Sequence, residues 1–269
     1  MIKLEYHKSS NNIFSEFGCH IHTSYEIYYF VSGDVELMVE GRVCKLTPHS
    51  LIIFPPNVLH GCQVNTHDDY VRYCLYIDPV DILPERLPLL TSLVSDFHNT
   101  PQEILYEHTE AFNLEQFFYN LKQLEDLPKD VKDTMEHIFT EALIAQINLL
   151  CRTLRPSKLT SNASGKILDI VNYINDHITE PLTLDSISSS CFISKNYLNN
   201  NFKNTLGTTV IEYIRYKRVI LAKQMIRNGE SAMNAALAVG FADYSSFYRA
   251  YMKFLHYPPK DDIPTSLPS

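Results

Sequence analysis

One succession of cap, helix, tight turn and helix occurs twice within residues 166–262, and few folds accommodate it. In its first occurrence Thr183 opens a short helical stretch, with Asp185 in the first turn where its charge suits the helix dipole. The break Cys191-Phe192-Ile193 follows, and Ser194 is placed to cap a helix over residues 195–204. Residues 209–228 read as a long apolar-striped helix closed by Gly229. The succession then returns: Ser231 starts a helix, Gly240-Phe241 turns the chain, and Asp243 caps a helix over 244–254. Ile167, Ile170, Val171 and Ile174 mark one further amphipathic helix ahead of both. Helix, short turn, helix is the shape that lays a helix into a major groove.

Charge separates this segment from what precedes it. Residues 1–160 hold 12 Lys and Arg against 22 Asp and Glu, whereas 161–269 hold 11 against 9. The overall net charge of −8 therefore belongs to the first part, and the second can approach a polyanion without heavy repulsion. The six cysteines contain no C-x-x-C pair, which argues against a zinc ribbon or a dense disulfide scaffold. No basic start followed by an apolar run opens the chain, and no 18-residue apolar stretch could span a bilayer. The expectation is a reduced, soluble, cytoplasmic protein with no membrane partner.

The first 80 residues read as strands. Residues 25–31 are aromatic and β-branched, and Ser32-Gly33-Asp34 turns them. Val35, Leu37 and Val39 share a face before the hairpin signal Glu40-Gly41, and Leu51-Ile52-Ile53-Phe54 is a buried-strand run closed by Pro55-Pro56. Over 71–77, Val71, Tyr73, Leu75 and Ile77 alternate with Arg72, Cys74 and Tyr76. Helical texture follows over 110–127 and 129–154, the latter with an apolar stripe of Val131, Met135, Ile138, Ala142, Ala145 and Leu149. Residues 155–165 have linker composition. The class predicted is α+β with two domains: an N-terminal barrel with dimerisation helices, and a C-terminal all-α double helix-turn-helix.

The stretches LTLDSI at 182–187, FISKNYLNNNFKNTLG at 192–207, EYIRYKRVILAKQMI at 212–226 and VGFADYSSFYRAYMKF at 239–254, with Pro258-Pro259, resemble the DNA-binding domain of the AraC-type family of bacterial transcription regulators. The resemblance covers nearly all of 166–262. It implies a seven-helix module placing two recognition helices in successive major grooves. The residue chemistry agrees. In the first such helix Tyr197, Leu198 and Phe202 would bury, leaving Lys195, Asn196, Asn199, Asn200 and Lys203 for DNA; asparagine can pair with an adenine edge. In the second, Phe247 and Tyr251 point in, and Tyr244, Ser245, Ser246, Arg249 and Lys253 can face the groove. The bland alternative is a solvated polar face, yet three consecutive asparagines are poor helix formers and call for a reason. Within the resemblance, His256 stands where glycine is usual and Ile263 where a basic residue is usual.

The spacing His20-x-His22-x3-Glu26-x6-Gly33, with His60 downstream, resembles the first metal motif of cupins. The second motif is degraded, with His49-Ser50 and Asn57 where glycines usually fall. AraC-type regulators commonly carry a cupin-like ligand domain with this trace, often without metal. No cofactor is expected, and His20, His22, Glu26 and His60 are the metal candidates. Strand parity gives the effector pocket as His22, Glu26, Tyr28, His60, Arg72 and Tyr76, a set suited to a carbohydrate, unless the 17 tyrosines simply fill a core lacking Trp.

The leading expectation is a non-enzymatic transcription regulator: a cupin-like sensor at 1–80, a helical dimerisation segment at 81–155, a linker at 156–165 and a double helix-turn-helix at 166–262. Its partners would be operator DNA, a small-molecule effector and a second copy of itself. The rival is a metal-dependent cupin enzyme with an accessory DNA module.

Overall fold

The structure is a computed structural model that describes residues 2–9, 18–56, 58–65, 69–94, 104–157, 159 and 165–263. Asn57 and most of the linker, residues 160–164 included, lie outside the described residues. The chain divides into two compact units, Met1–Asn162 and Ala163–Ser269.

The first unit is built in three layers. Strands β1 (Ile2–Ser9), β2 (Tyr25–Ser32), β5 (Ser50–Phe54), β7 (Tyr70–Ile77) and β8 (Leu105–Tyr106) form an antiparallel sheet in the order β1-β7-β2-β5-β8. A second sheet, in the order β4-β3-β6, holds β3 (Val35–Val39), β4 (Arg42–Lys45) and β6 (His60–Val64). The hairpin β3–β4 turns at Glu40 and Gly41, both with positive φ (47° and 81°), a backbone that suits the twist of two antiparallel strands. Tyr28, Phe30, Ile52, Phe54 and Cys74 of the first sheet pack against Val35, Leu37, Val39 and Val64 of the second. The opposite face, with Ile27, Tyr29, Leu51, Ile53, Tyr73, Leu75 and Ile77, is covered by helices α1 (Leu87–Thr91), α2 (Leu114–Lys122) and α3 (Lys129–Thr153). A sheet buried on both faces explains why Ile27 to Val31 of β2 and Leu51 to Phe54 of β5 read as unbroken apolar runs.

Two expectations are corrected here, and the packing face of α3, which the sequence leaves open, is decided. The segment read as purely helical contributes β8, which pairs with β5 through Leu51↔Tyr106 and Ile52↔Leu105. Two residues assigned to the linker pack on this unit: Ser157 donates its N–H to Leu105 O at 2.7 Å, and Leu159 is buried. In α3 the inward face is Leu143, Ile144, Ile147 and Leu150, while Val131, Ile138 and Leu149 are 43%, 59% and 55% exposed. That helix has apolar residues on both faces, and periodicity alone cannot say which one the sheet takes.

The second unit is all helix: α4 (Gly165–Asp176), α5 (Leu184–Ser190), α6 (Lys195–Leu206), α7 (Val210–Arg227), α8 (Ala232–Ala238) and α9 (Tyr244–Leu255). Side chains of Thr183, Ser194, Thr209, Ser231 and Asp243 each accept the backbone N–H three residues on, satisfying donors that a helix start leaves free. Gly207 ends α6 at φ 70°, and His256 ends α9 at φ 64°, a left-handed site where a side chain is strained. No helix among the described residues is long and apolar enough to cross a membrane.

Gly240 turns the chain between α8 and α9 at φ 93°, and a Cβ built there would sit 2.8 Å from Thr179 O and 2.9 Å from the Arg218 guanidinium. Gly240→Ala is therefore expected to destabilise the second unit by about 1–3 kcal/mol through overpacking and backbone strain. Urea unfolding of the two proteins measures it, and an unchanged midpoint would count against the packing described.

Candidate functional site

Two sites stand out, one in each unit. In the first, His20 pairs with His60 in an isolated antiparallel bridge, and β2 presents Glu26 beneath them. His60 Nε2 lies 3.0 Å and His22 Nε2 2.8 Å from the same Glu26 oxygen. The ring of Phe54 stacks on His60 with centroids 4.0 Å apart, and Tyr76 meets His22 edge-on at 5.3 Å. Nitrogen and oxygen donors of His20, His22, Glu26 and His60 all fall within 4.8 Å of one another. Burial alone would raise the Glu26 pKa, but hydrogen bonds from His22 and His60 outweigh it and hold the carboxyl well below the usual range. Burial, followed by the neighbouring His60, lowers His20 to about 4. A cavity of about 330 Å³ borders His20 and His22, with Lys3, Glu5, Ser24 and Tyr76.

The structure divides the expected pocket lining. His22, Glu26, His60 and Tyr76 come together as described. Tyr28 and Arg72 do not border the cavity, because the space between the sheets is filled rather than open, and Cys74, which bonds Glu26, joins them to the cluster. There Tyr28 and Tyr70 share a hydroxyl–hydroxyl bond of 2.9 Å, Arg72 lies over the Tyr28 ring at 5.8 Å, and Arg72 donates to Cys74 Sγ. Arg72 Nε is buried without a hydrogen-bond partner among the described residues. Lys3, Glu5 and Ser24 escaped sequence reading, since nothing in their spacing ties them to the histidines.

In the second unit, α6 buries Leu198, Phe202 and Leu206 and exposes Lys195, Asn196, Asn199, Asn200 and Lys203, with Tyr197 half-buried. Lys195 is paired with Asp185. Helix α9 buries Phe247, Ala250 and Tyr251 and exposes Ser245, Arg249 and Lys253. Tyr244 and Ser246 are half-buried. The Ser246 N–H and hydroxyl donate to the Asp243 carboxylate at 2.7 and 2.8 Å, so that hydroxyl serves the cap. Tyr244 packs on Phe247 with centroids 5.7 Å apart. The sequence reading missed Arg215, which shares a cavity of about 350 Å³ with Arg249, Lys253 and Glu212; no motif joins α7 to α9 before they pack.

Polar helix faces standing on two capped helix-turn-helix units, beside a separate ligand-domain fold, define a DNA-binding transcription regulator. Residues 187–262 match a family model described as a helix-turn-helix domain, and residues 9–102 match one described as an AraC-like ligand binding domain. The chain belongs to the AraC-type family of transcription regulators. Similar proteins include the "Uncharacterized HTH-type transcriptional regulator YbfI" of Bacillus subtilis, 21% identical over 87% of this chain and 82% of that one. The HTH-type transcriptional activator RhaS of Shigella dysenteriae is 22% identical over 74% of each. The regulatory protein SoxS of Escherichia coli is 29% identical over 35% of this chain and 90% of its own length.

Lys253 is held by an ion pair with Glu212. Glu212→Gln frees that lysine and removes a negative charge beside Arg215 and Arg249. DNA affinity at low salt is expected to rise a few-fold, with the salt slope steepening by about 1. Fluorescence anisotropy across a salt series reads both; a variant that binds more weakly would rule the lysine out as a phosphate contact.

Proposed function

We propose that this regulator binds its operator as a homodimer, reading bases with α6 and α9 and responding to a polyhydroxylated effector such as a sugar. The observation that carries the reading is the pair of exposed polar faces on α6 and α9, each backed by a fully buried apolar one. On α6 the contacts are Asn196, Asn199 and Asn200 to bases and Lys195 and Lys203 to phosphates. On α9 they are Ser245, Arg249 and Lys253, with Tyr244 and Ser246 shaping and capping the helix. The organisation proposed with it places the sensor and dimerisation segments within the first unit, joined to the DNA-binding domain of the second.

Arg249→Ala and Asn200→Ala are each expected to weaken operator binding by about 1–3 kcal/mol while leaving the thermal midpoint unchanged, since both side chains are exposed. Gel shifts with genomic fragments, with and without sugars, supply the operator and test the effector. Equal affinity of both variants and the parent would mean that the groove faces are assigned wrongly.

The exposed stripe on α3 supports the second copy. Val131, Ile138, Ala142, Ala145 and Leu149 form one solvent-facing row, and a two-fold partner offering the same row would cover it. Dimerisation adds avidity for paired half-sites. Ile138→Asp combined with Leu149→Asp should convert a dimer into a folded monomer by light scattering. A wild-type chain that is monomeric at micromolar concentration and on DNA would end this reading.

His22, Glu26, His60 and Tyr76, bordering or underlying the 330 Å³ cavity, support an effector rich in hydroxyl groups. Tyr28 and Arg72 would act from behind as a buried polar layer. The rival reading as a metal-dependent enzyme gains nothing from YbfI and RhaS, which are named as regulators.

A further inference from the structure

The helix-covered face of the five-stranded sheet carries two tyrosines that take part in neither the histidine cluster nor the polar helix faces. Tyr29 of β2 and Tyr73 of β7 stand opposite each other in register, and Phe118 of α2 stacks on both rings, with centroids 5.5 and 5.2 Å apart. Both tyrosines are buried, and both border a cavity of about 470 Å³ at the start of α2. The Tyr29 hydroxyl shares a hydrogen bond of 3.0 Å with His49 Nδ1. Tyr73 is 5% exposed, and its hydroxyl makes no hydrogen bond among the described residues. A polar group held this far from bulk water needs a partner, and the cavity is where one can stand.

The rest of the lining narrows what that partner is. Glu115 and Tyr119 lie one turn apart on the exposed side of α2, Gln116 stands beside them, and Glu110 precedes the helix. Neither carboxylate is held in an ion pair among the described residues, and no lysine or arginine borders the cavity. The negative charge reaches the tyrosines: burial lifts both phenols to about 12, and Glu115 adds to the rise in each. Both therefore stay protonated at neutral pH and can still accept a hydrogen bond through oxygen. Carboxylates and phenol oxygens all accept from an N–H, and the half-exposed Tyr119 ring attracts positive charge to its face. An anion would meet two carboxylates here, and an uncharged sugar would leave their charge unanswered. Small-molecule sites usually measure about 300–1,000 Å³, so a bare ion would leave most of the space empty.

We propose that this cavity binds an organic cation bearing N–H donors, a primary amine, with its ammonium on Glu110, Glu115 and the Tyr73 hydroxyl and its carbon skeleton against Tyr119. Bound, the amine bridges β7 to the start of α2 and gives Tyr73 the partner it lacks. Tyr29 and Tyr73 lie on the opposite face of the sheet from Tyr76 and the histidine cluster. The amine site is therefore a second ligand site, and it does not rest on the sugar reading.

The test is calorimetric titration of the full-length chain with tyramine and with 1,4-diaminobutane. At least one of the two is expected to bind at about one per chain. Its affinity should exceed by about 10-fold that of 4-hydroxyphenylacetate, which puts a carboxylate where tyramine has its ammonium, and that of tetramethylammonium, which has no N–H. Glu115→Gln should weaken the amine by about 10-fold, and Tyr73→Phe by a few-fold. Glu115 is exposed, so its variant remains informative if the Tyr73 variant fails to fold. Failure of both amines to bind, or equal binding of either analogue, would overturn the site. So would an affinity unchanged in Glu115→Gln, or displacement of the amine by equimolar Ca²⁺, which would reduce the cavity to a general attraction for cations.

Discussion

Arg218 leaves the middle of α7 and places its guanidinium among three backbone carbonyls: Ile178 O at 2.8 Å, Gly240 O at 2.7 Å, and Glu180 O. The first and third belong to the turn that follows α4; the second belongs to the turn between α8 and α9. A single buried side chain thus fastens the second helix-turn-helix to the segment ahead of the first, from the helix that joins them. Burial lowers its pKa, and the carbonyls replace the water it gives up. This arrangement explains the glycine at 240, because any Cβ there would occupy the guanidinium's place. Asp262 adds a second fastening, accepting from Arg227 Nε at 2.7 Å and from the Tyr251 hydroxyl.

Rigidity of this kind matters for reading DNA. Base contacts discriminate only when a side chain is held in register, and each good pair contributes about 1–3 kcal/mol of discrimination. Holding α6 and α9 on one framework fixes the separation of the two exposed polar faces proposed to read DNA. The ion pairs Lys195–Asp185 and Lys253–Glu212 partly neutralise two exposed lysines, and under the proposed reading both pairs loosen when those lysines engage a phosphate backbone.

The first unit follows another logic. Its five-stranded sheet is covered on both faces, and the carboxylate of Glu26 is buried at one end of that core. A buried acid persists only where partners hold it, and here those partners are histidines from a segment before β2 and from the start of β6. The contact between Glu26 of β2 and His60 of β6 ties the two sheets together at that point.

Much of the second unit was legible in its residues, because a cap is local. Thr183, Ser194, Thr209, Ser231 and Asp243 each bond a backbone N–H three residues on, so their identity and spacing announce a helix start without help from elsewhere. Apolar spacing likewise marked Leu198, Phe202, Phe247 and Tyr251 as inward. The strand β1 went unread, since a mixed run such as IKLEYHKS carries weak alternation, and two residues of β8 are too few for any period. Helix α3 was found, but its two apolar faces left open which one packs. The sequence by itself determined the helix starts, the turns and the polar faces, all of which depend on neighbours within one or two turns of chain. Only tertiary structure decided the meeting of His20, His22, Glu26 and His60, the placing of Arg72 and Tyr28 away from the cavity beside them, and the reach of Arg218 to Gly240. Those depend on strand register and helix packing between distant segments, where a shift of one residue would send each side chain to the opposite face.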